Sequence, residues 1–203
     1  MPRVDDYIAA CRLAREKLAA DPCDRIAARS GFALEKGGLT VPFLDRVYRV
    51  SCPGFEFEDR ASASAQVPLQ EQVLILHYLV ADAPVSVAAD WVAYREIRGA
   101  AFYFAAFVKR AVDPLKKRFG QDIGAFRAAA ARLGGATAAA GDAAAEFRVL
   151  PHVPVQLVLH AGDEEFPPEA AILFDRSIGR ILTPEDIAWL AGMVVYRLVR
   201  LAG

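Results

Sequence analysis

The segment Leu69 to Val80 constrains this chain more than any other. Val73, Leu74, Ile75, Leu76, Leu79 and Val80 spread apolar surface around most of a helical cylinder. Such a helix is stable only where neighbours cover it on most sides, so the fold must be built against it. It falls short of the roughly 20 apolar residues needed to span a bilayer, as does every other apolar stretch. Ala83-Pro84-Val85 breaks the pattern after it.

The flanking sequence changes period. Val4, Ile8, Cys11 and Leu18 recur at helical spacing, and Asp21-Pro22 ends that amphipathic helix. A short helix through Ile26 and Ala27 follows. Gly37-Gly38 then separates Phe32–Lys36 from Leu39–Phe43, a hairpin signal because glycine reaches positive φ freely. Cys52-Pro53-Gly54 is the expected turn of a second hairpin, between Arg46–Ser51 and Phe55–Glu58. Arg60 to Gln66 is small and polar, and reads as a loop.

Helices occupy the middle. One runs from about Tyr103 to Ala111, and Asp113-Pro114 reads as a cap followed by proline at the first helical position. Asp122 precedes another helix, Ile123 to Leu133, which Gly134-Gly135 stops. The alanine-rich stretch 136–145 reads as a loop. Strands return at Ala145–Leu150 and Val153–His160. Thr183, Pro184, Glu185 and Asp186 then open a last helix with the stripe Ile187, Leu190, Ala191, Val194 and Leu198. The expectation is α+β: an N-terminal helix, antiparallel hairpins, central helices, further strands and a C-terminal helix. With 203 residues and no internal repeat, we read residues 1–203 as one globular domain.

Charge and cysteine usage exclude several classes. The 24 basic and 25 acidic residues leave no basic footprint for nucleic acid. Cys11, Cys23 and Cys52 are odd in number and far apart in sequence, so no disulfide framework is expected, and a reducing cytoplasm fits best. No Cys-x-x-Cys is present to build an iron–sulfur or zinc site. Charges interrupt Met1–Leu18, which therefore does not read as a signal peptide.

Two polar clusters carry whatever chemistry the chain has. The first is Trp91, Tyr94, Arg95 and Glu96 within Asp90–Glu96, followed by Gly99 and then Phe102-Tyr103-Phe104. Aromatic faces there could hold a flat ligand while Arg95 pairs with a carboxylate or phosphate. The competing reading puts the aromatics in the core and Arg95 and Glu96 in surface ion pairs. The second is Asp163, Glu164 and Glu165 after His160, with Asp175 nearby. These oxygens suit a hard cation or a general acid–base, but a run of charge is more commonly a solvated acidic turn. His77, His152 and His160 lack metal-ligand spacing. Ser86, Ser177 and the cysteines sit in no nucleophile motif.

Several separated runs resemble a bacterial and archaeal family, the domain of unknown function 3786 family. They are Leu74-Ile75-Leu76-His77-Tyr78-Leu79, Trp91-Val92-Ala93-Tyr94-Arg95-Glu96-Ile97, Leu133-Gly134-Gly135, Gly162-Asp163-Glu164-Glu165-Phe166-Pro167 and Ile172-Leu173-Phe174-Asp175. The resemblance covers about Gln70 to Gly192. It implies no established activity. It does imply relatives in which a four-cysteine iron–sulfur module precedes this domain, and hence a link to anaerobic redox or corrinoid metabolism. It would also put tryptophan where His160 stands, which argues against a shared metal role there.

Three functions follow as expectations. The leading one is a small-molecule or cofactor-binding accessory domain, with the two clusters around one concavity; the cofactor itself is not identified. The second is an interaction module docking on an iron–sulfur or corrinoid protein, with an exposed apolar patch rimmed by charge. The third is an enzyme using two carboxylates and Arg95.

Overall fold

The computed structural model describes residues 4–81 and 86–203. The expected helix break at Ala83-Pro84-Val85 lies outside the described residues. The chain groups into two compact units. The first runs to Ser86 and takes in Arg180–Leu182, and the second comprises Val87–Gly179 and Thr183–Gly203.

In the first unit, α1 (Val4–Leu18) packs on α3 (Leu69–Val80). α3 buries Val73, Leu74, Ile75, Leu76, Tyr78 and Leu79, as its all-round apolar surface demands. In α1 the buried stripe is Cys11, Ala14 and Leu18, whereas Val4 and Ile8 are exposed. Periodicity alone admits either of two overlapping stripes, and the packing selects the one carrying the small Ala14. Between these helices along the chain come α2 (Cys23–Ser30) and an antiparallel meander of β1 (Ala33–Glu35), β2 (Gly38–Phe43), β3 (Arg46–Ser51) and β4 (Phe57–Asp59).

The β1–β2 turn is displaced by one residue from Gly37-Gly38. Glu35 pairs with Gly38, leaving Lys36 (φ 41°) and Gly37 (φ 77°) as a two-residue turn with both φ positive. Gly38 instead opens β2, where an added Cβ would stand 3.0 Å from the Val50 carbonyl oxygen. Phe55 is not the start of a strand. At φ 54° it folds inward, donates its N–H to the Ser51 carbonyl (2.8 Å) and is buried.

One sequence expectation is corrected here: Cys23 and Cys52 form a disulfide, with Cα atoms 6.1 Å apart, while Cys11 is a buried free thiol. Separation along the chain sets no limit on separation in space, so an odd count is compatible with one pair and one remainder.

The second unit is built on a five-stranded antiparallel sheet in the order β5-β9-β8-β7-β6. The strands are β5 (Trp91–Ala93), β6 (Ala136–Ala138), β7 (Ala143–Leu150), β8 (Val153–His160) and β9 (Glu169–Asp175). β8 is buried from Val153 to Leu159 and is the sheet's centre. The alanine-rich stretch is not a loop: Ala136 pairs with Glu146 and Ala138 with Ala144. Alanine has weak strand preference, so that pairing is decided by sheet context rather than propensity.

The helices are α4 (Phe104–Phe107), α5 (Asp113–Phe119), α6 (Ile123–Arg132) and α7 (Pro184–Leu201). Asp113 is not a cap. A π-helical turn, Val108–Val112, joins α4 to α5, and Asp113 is itself helical (φ −62°). The wider hydrogen-bond spacing of that turn accommodates Pro114, which has no N–H to give. The α7 start is as expected: Thr183 Oγ1 accepts from the Asp186 N–H at 3.2 Å, and the Asp186 carboxylate accepts in return from the Thr183 N–H and hydroxyl. Among the described residues, no helix is long and apolar enough to cross a membrane. The architecture is α+β.

Candidate functional site

β5 sets the first cluster. It pairs with the end of β9, with Trp91 opposite Asp175, Val92 opposite Phe174 and Ala93 opposite Leu173. The chain then turns through two 3₁₀ segments, Tyr94–Glu96 and Ala100–Tyr103, into α4. Gly99, at φ 81°, makes the bend between them.

The cluster divides into an inner and an outer set. Tyr94 points inward and is only 1% exposed. Its ring stacks on Phe107 (4.2 Å, 5°) and meets Phe174 edge-on, while its hydroxyl donates to the Pro184 carbonyl at 2.8 Å. Burial pushes its phenol up to about 12. A tyrosine so placed is core, which corrects the expectation that it faces a ligand.

Arg95 is exposed, its guanidinium 3.8 Å from the centre of the half-buried Phe104 ring. Glu96 is exposed and accepts the Ala93 N–H at 2.7 Å. Phe102 is 86% exposed and meets Tyr103 edge-to-face at 5.0 Å. The Tyr103 hydroxyl donates to Glu185 at 3.3 Å, and that negative charge raises its pKa. Phe102 with Tyr103, and Arg95 over Phe104, are the two aromatic pairs of this segment, together called its aromatic shelf, with Glu185 bonded to Tyr103 and Glu96 and Arg98 exposed along the same stretch of chain. Phe102 belongs to the aromatic triplet of the first cluster but is not among the residues expected to bind ligand. Its signal was present in Phe102-Tyr103-Phe104, since three adjacent aromatics on a short helical turn cannot all face inward.

Asp175 is not at the shelf's surface. It is 1% exposed and accepts from the N–H groups of Ala88 (3.0 Å), Ser177 (2.9 Å) and Asp90 (3.4 Å), and from the Ser177 hydroxyl. Burial by itself would raise its pKa, but the bonds from Ser177, Ala88 and Asp90 together hold it below the ordinary value. It ties the segment before β5 to the end of β9. Arg176 and Asp90 reinforce the same join as an exposed ion pair.

The acidic turn stands elsewhere. Asp163, Glu164 and Glu165 are exposed in the β8–β9 loop, and Asp163 accepts the N–H groups of Phe166 (2.7 Å) and Glu165 (2.8 Å). Those two backbone bonds lower its pKa. The loop is anchored by the Gly162 N–H on the Gly120 carbonyl at 3.2 Å. The seven residues of β9 separate this turn from Asp175 and Trp91, about 20 Å along the strand. The structure therefore brings Trp91 and Asp175 together and keeps Asp163, Glu164 and Glu165 apart from them. Glu164 and Asp175 are out of reach of each other.

An open depression of 610 Å³ lies in the first unit, lined by Asp45, Arg46, Val47, Asp59, Arg60, Ala61, Ser62 and Ala65. Its floor is the buried Asp59, which accepts from Arg46 (2.9 Å) and from the Ala61 N–H (2.9 Å). None of the residues expected to bind ligand lines it. Among the described residues, no group of three or more histidines, cysteines or acids is arranged to hold a metal ion.

These observations define an α+β protein with an exposed aromatic shelf and a self-bonded acidic turn. The chain belongs to the family described as domain of unknown function (DUF3786), whose model matches residues 23–197. No curated protein and no solved structure matches it.

Proposed function

We propose that this protein is a docking module, and that the shelf of Arg95, Phe102, Tyr103 and Phe104 is its contact surface. The observation that carries the reading is Phe102, an 86% exposed phenylalanine braced against a second aromatic whose hydroxyl holds Glu185. Exposed single apolar residues are common, but adjoining aromatics with an arginine beside them have the composition of interface hot spots. The partner is a protein carrying a four-cysteine iron–sulfur module or a corrinoid, the class implied by the fused relatives. In those, the two modules sit on one chain. Trp91, Tyr94 and Asp175 hold the shelf in shape, and Asp163, Glu164 and Glu165 form a second, separate acidic surface.

The small-molecule reading keeps one support, the depression at Arg46 and Arg60, which lies apart from its expected residues. The carboxylate enzyme loses its motive once Glu164 and Asp175 stand at opposite ends of β9. The proposed setting is anaerobic metabolism in the cytoplasm.

The test is anaerobic affinity capture on the immobilised chain, read by iron–sulfur absorbance of the eluate and by mass identification. Wild type should retain a protein of that class. Phe102→Asp should cut retention roughly thirtyfold, as loss of a hot spot of about 2 kcal/mol would, with an unchanged circular dichroism spectrum. Equal retention by both forms, or none by either, would overturn the reading.

A further inference from the structure

We propose that Cys23 and Cys52 form a thiol–disulfide exchange site open to an external dithiol. Both residues are partly exposed, on the surface of the first unit. By contrast Cys11 is buried, and burial raises its pKa, so it stays out of the exchange.

Each partner is held in place without the bond. α2 buries Ile26 and Ala27, Arg29 donates to the Leu79 carbonyl from two nitrogens (2.9 and 3.3 Å), and Tyr78 donates its hydroxyl to the Ser30 carbonyl at 2.6 Å. On the other side, the Cys52 N–H donates to the Gly37 carbonyl (2.9 Å), the Ser51 N–H to the Glu56 carbonyl (2.9 Å), and Phe55 is buried. Two sulfurs positioned by separate non-covalent anchors stay juxtaposed after reduction and can close again.

The two sulfurs are unequal. Cys23 is the first residue of α2, and its cap, Pro22, offers no side-chain acceptor to the first-turn N–H groups. Cys23 therefore stands at the positive end of the helix, beside the first-turn acid Asp24, and is assigned as the departing sulfur. Exchange runs with the better leaving group departing. One thiolate of the dithiol attacks Sγ of Cys52, forming a mixed disulfide and releasing the Cys23 thiolate. The second thiol of the dithiol, deprotonated, attacks its own mixed-disulfide sulfur and releases the Cys52 thiolate. The dithiol loses two electrons and two protons and becomes a disulfide; Cys23 and Cys52 gain them as two thiols. In a reducing cytoplasm such a bond is transient rather than permanent.

The experiment treats the native full-length chain with dithiothreitol at pH 7, quenches with iodoacetamide, and reads intact mass, peptide map and circular dichroism. The expected result is two labelled cysteines, Cys23 and Cys52, with Cys11 unlabelled and helix content unchanged. Oxidised glutathione should then restore the single bond. In a brief labelling pulse, Cys23 should react about threefold or more faster than Cys52. A bond reduced only in denaturant, or whose reduction unfolds the chain, overturns the proposal. So does a chain that keeps three free thiols in oxidised glutathione. Cys52 labelling first overturns the assignment of Cys23 as the leaving thiolate.

Discussion

At the scale of single residues, the buried groups around the shelf carry the sharpest consequences. Asp175→Ala deprives the N–H groups of Ala88, Ser177 and Asp90 and the Ser177 hydroxyl of their acceptor, two of them on the buried Ser177. Urea unfolding should show a loss of about 3 kcal/mol. Asp175→Asn keeps the volume and should lose less. The depressed pKa of Asp175 also gives its contribution a pH sense. The unfolded carboxyl titrates near 3.9, and the folded one lower. The contribution is complete above the unfolded value and is lost as pH falls through the folded value. Wild type should therefore lose more stability below about pH 4 than Asp175→Asn does.

Tyr94 gives the opposite sense at the alkaline end. Its phenol is raised to about 12, against about 10 in the unfolded chain. Its stabilisation is full below the unfolded value and disappears as pH rises through the folded one. Ultraviolet titration of wild type against Tyr94→Phe should assign the highest-pH tyrosinate step to Tyr94. An additional tyrosinate near pH 10 that Tyr94→Phe removes would contradict its buried, stacked placement.

At the scale of elements, α7 and α1 behave differently. The reciprocal Thr183–Asp186 bonds close the N-terminus of α7, an 18-residue helix with a continuous buried stripe. Thr183→Ala should cost about 1 kcal/mol in chemical unfolding. In α1, Ile8→Ser should change stability by less than about 0.5 kcal/mol, because Ile8 is exposed. Leu18→Ala should cost about 2–5 kcal/mol, because Leu18 is fully packed. Equal effects at the two positions would mean that the helical stripe read from periodicity is the one buried after all.

At the scale of the whole molecule, two questions remain for experiment: how cooperatively the chain unfolds, and what it carries. Arg180–Leu182 groups with the first unit although the residues on either side belong to the second. Our reading of residues 1–203 as one domain is a statement about cooperativity. One urea transition, coincident by fluorescence and circular dichroism, is expected; two resolved transitions would mean the units unfold on their own. The docking reading further predicts that protein purified without oxygen has the native mass of the bare chain or its simple multiples. An added mass lost on denaturation would turn attention to the depression at Arg46 and Arg60.

Local signals were enough for the elements whose chemistry is local. Leu69–Val80 had to be a buried helix because its apolar residues leave no face for water. Thr183-Pro184 had to start one because the cap and the fixed proline φ act within a single turn. Val153–His160 was legible as a strand for the same kind of reason, and the α+β order followed from these. What escaped were the facts set by distance in space. The Cys23–Cys52 bond joins residues 29 apart in sequence. The register of β9 seats Asp175 beside Trp91 and carries the acids of 163–165 to the far end of the strand. An aromatic triplet says nothing of which ring faces out; packing of Tyr94 on Phe107 and Phe174 filled the inside and left Phe102 to solvent. Propensity and periodicity act over a few residues, whereas a site is made by side chains whose neighbours are chosen only when the sheet closes.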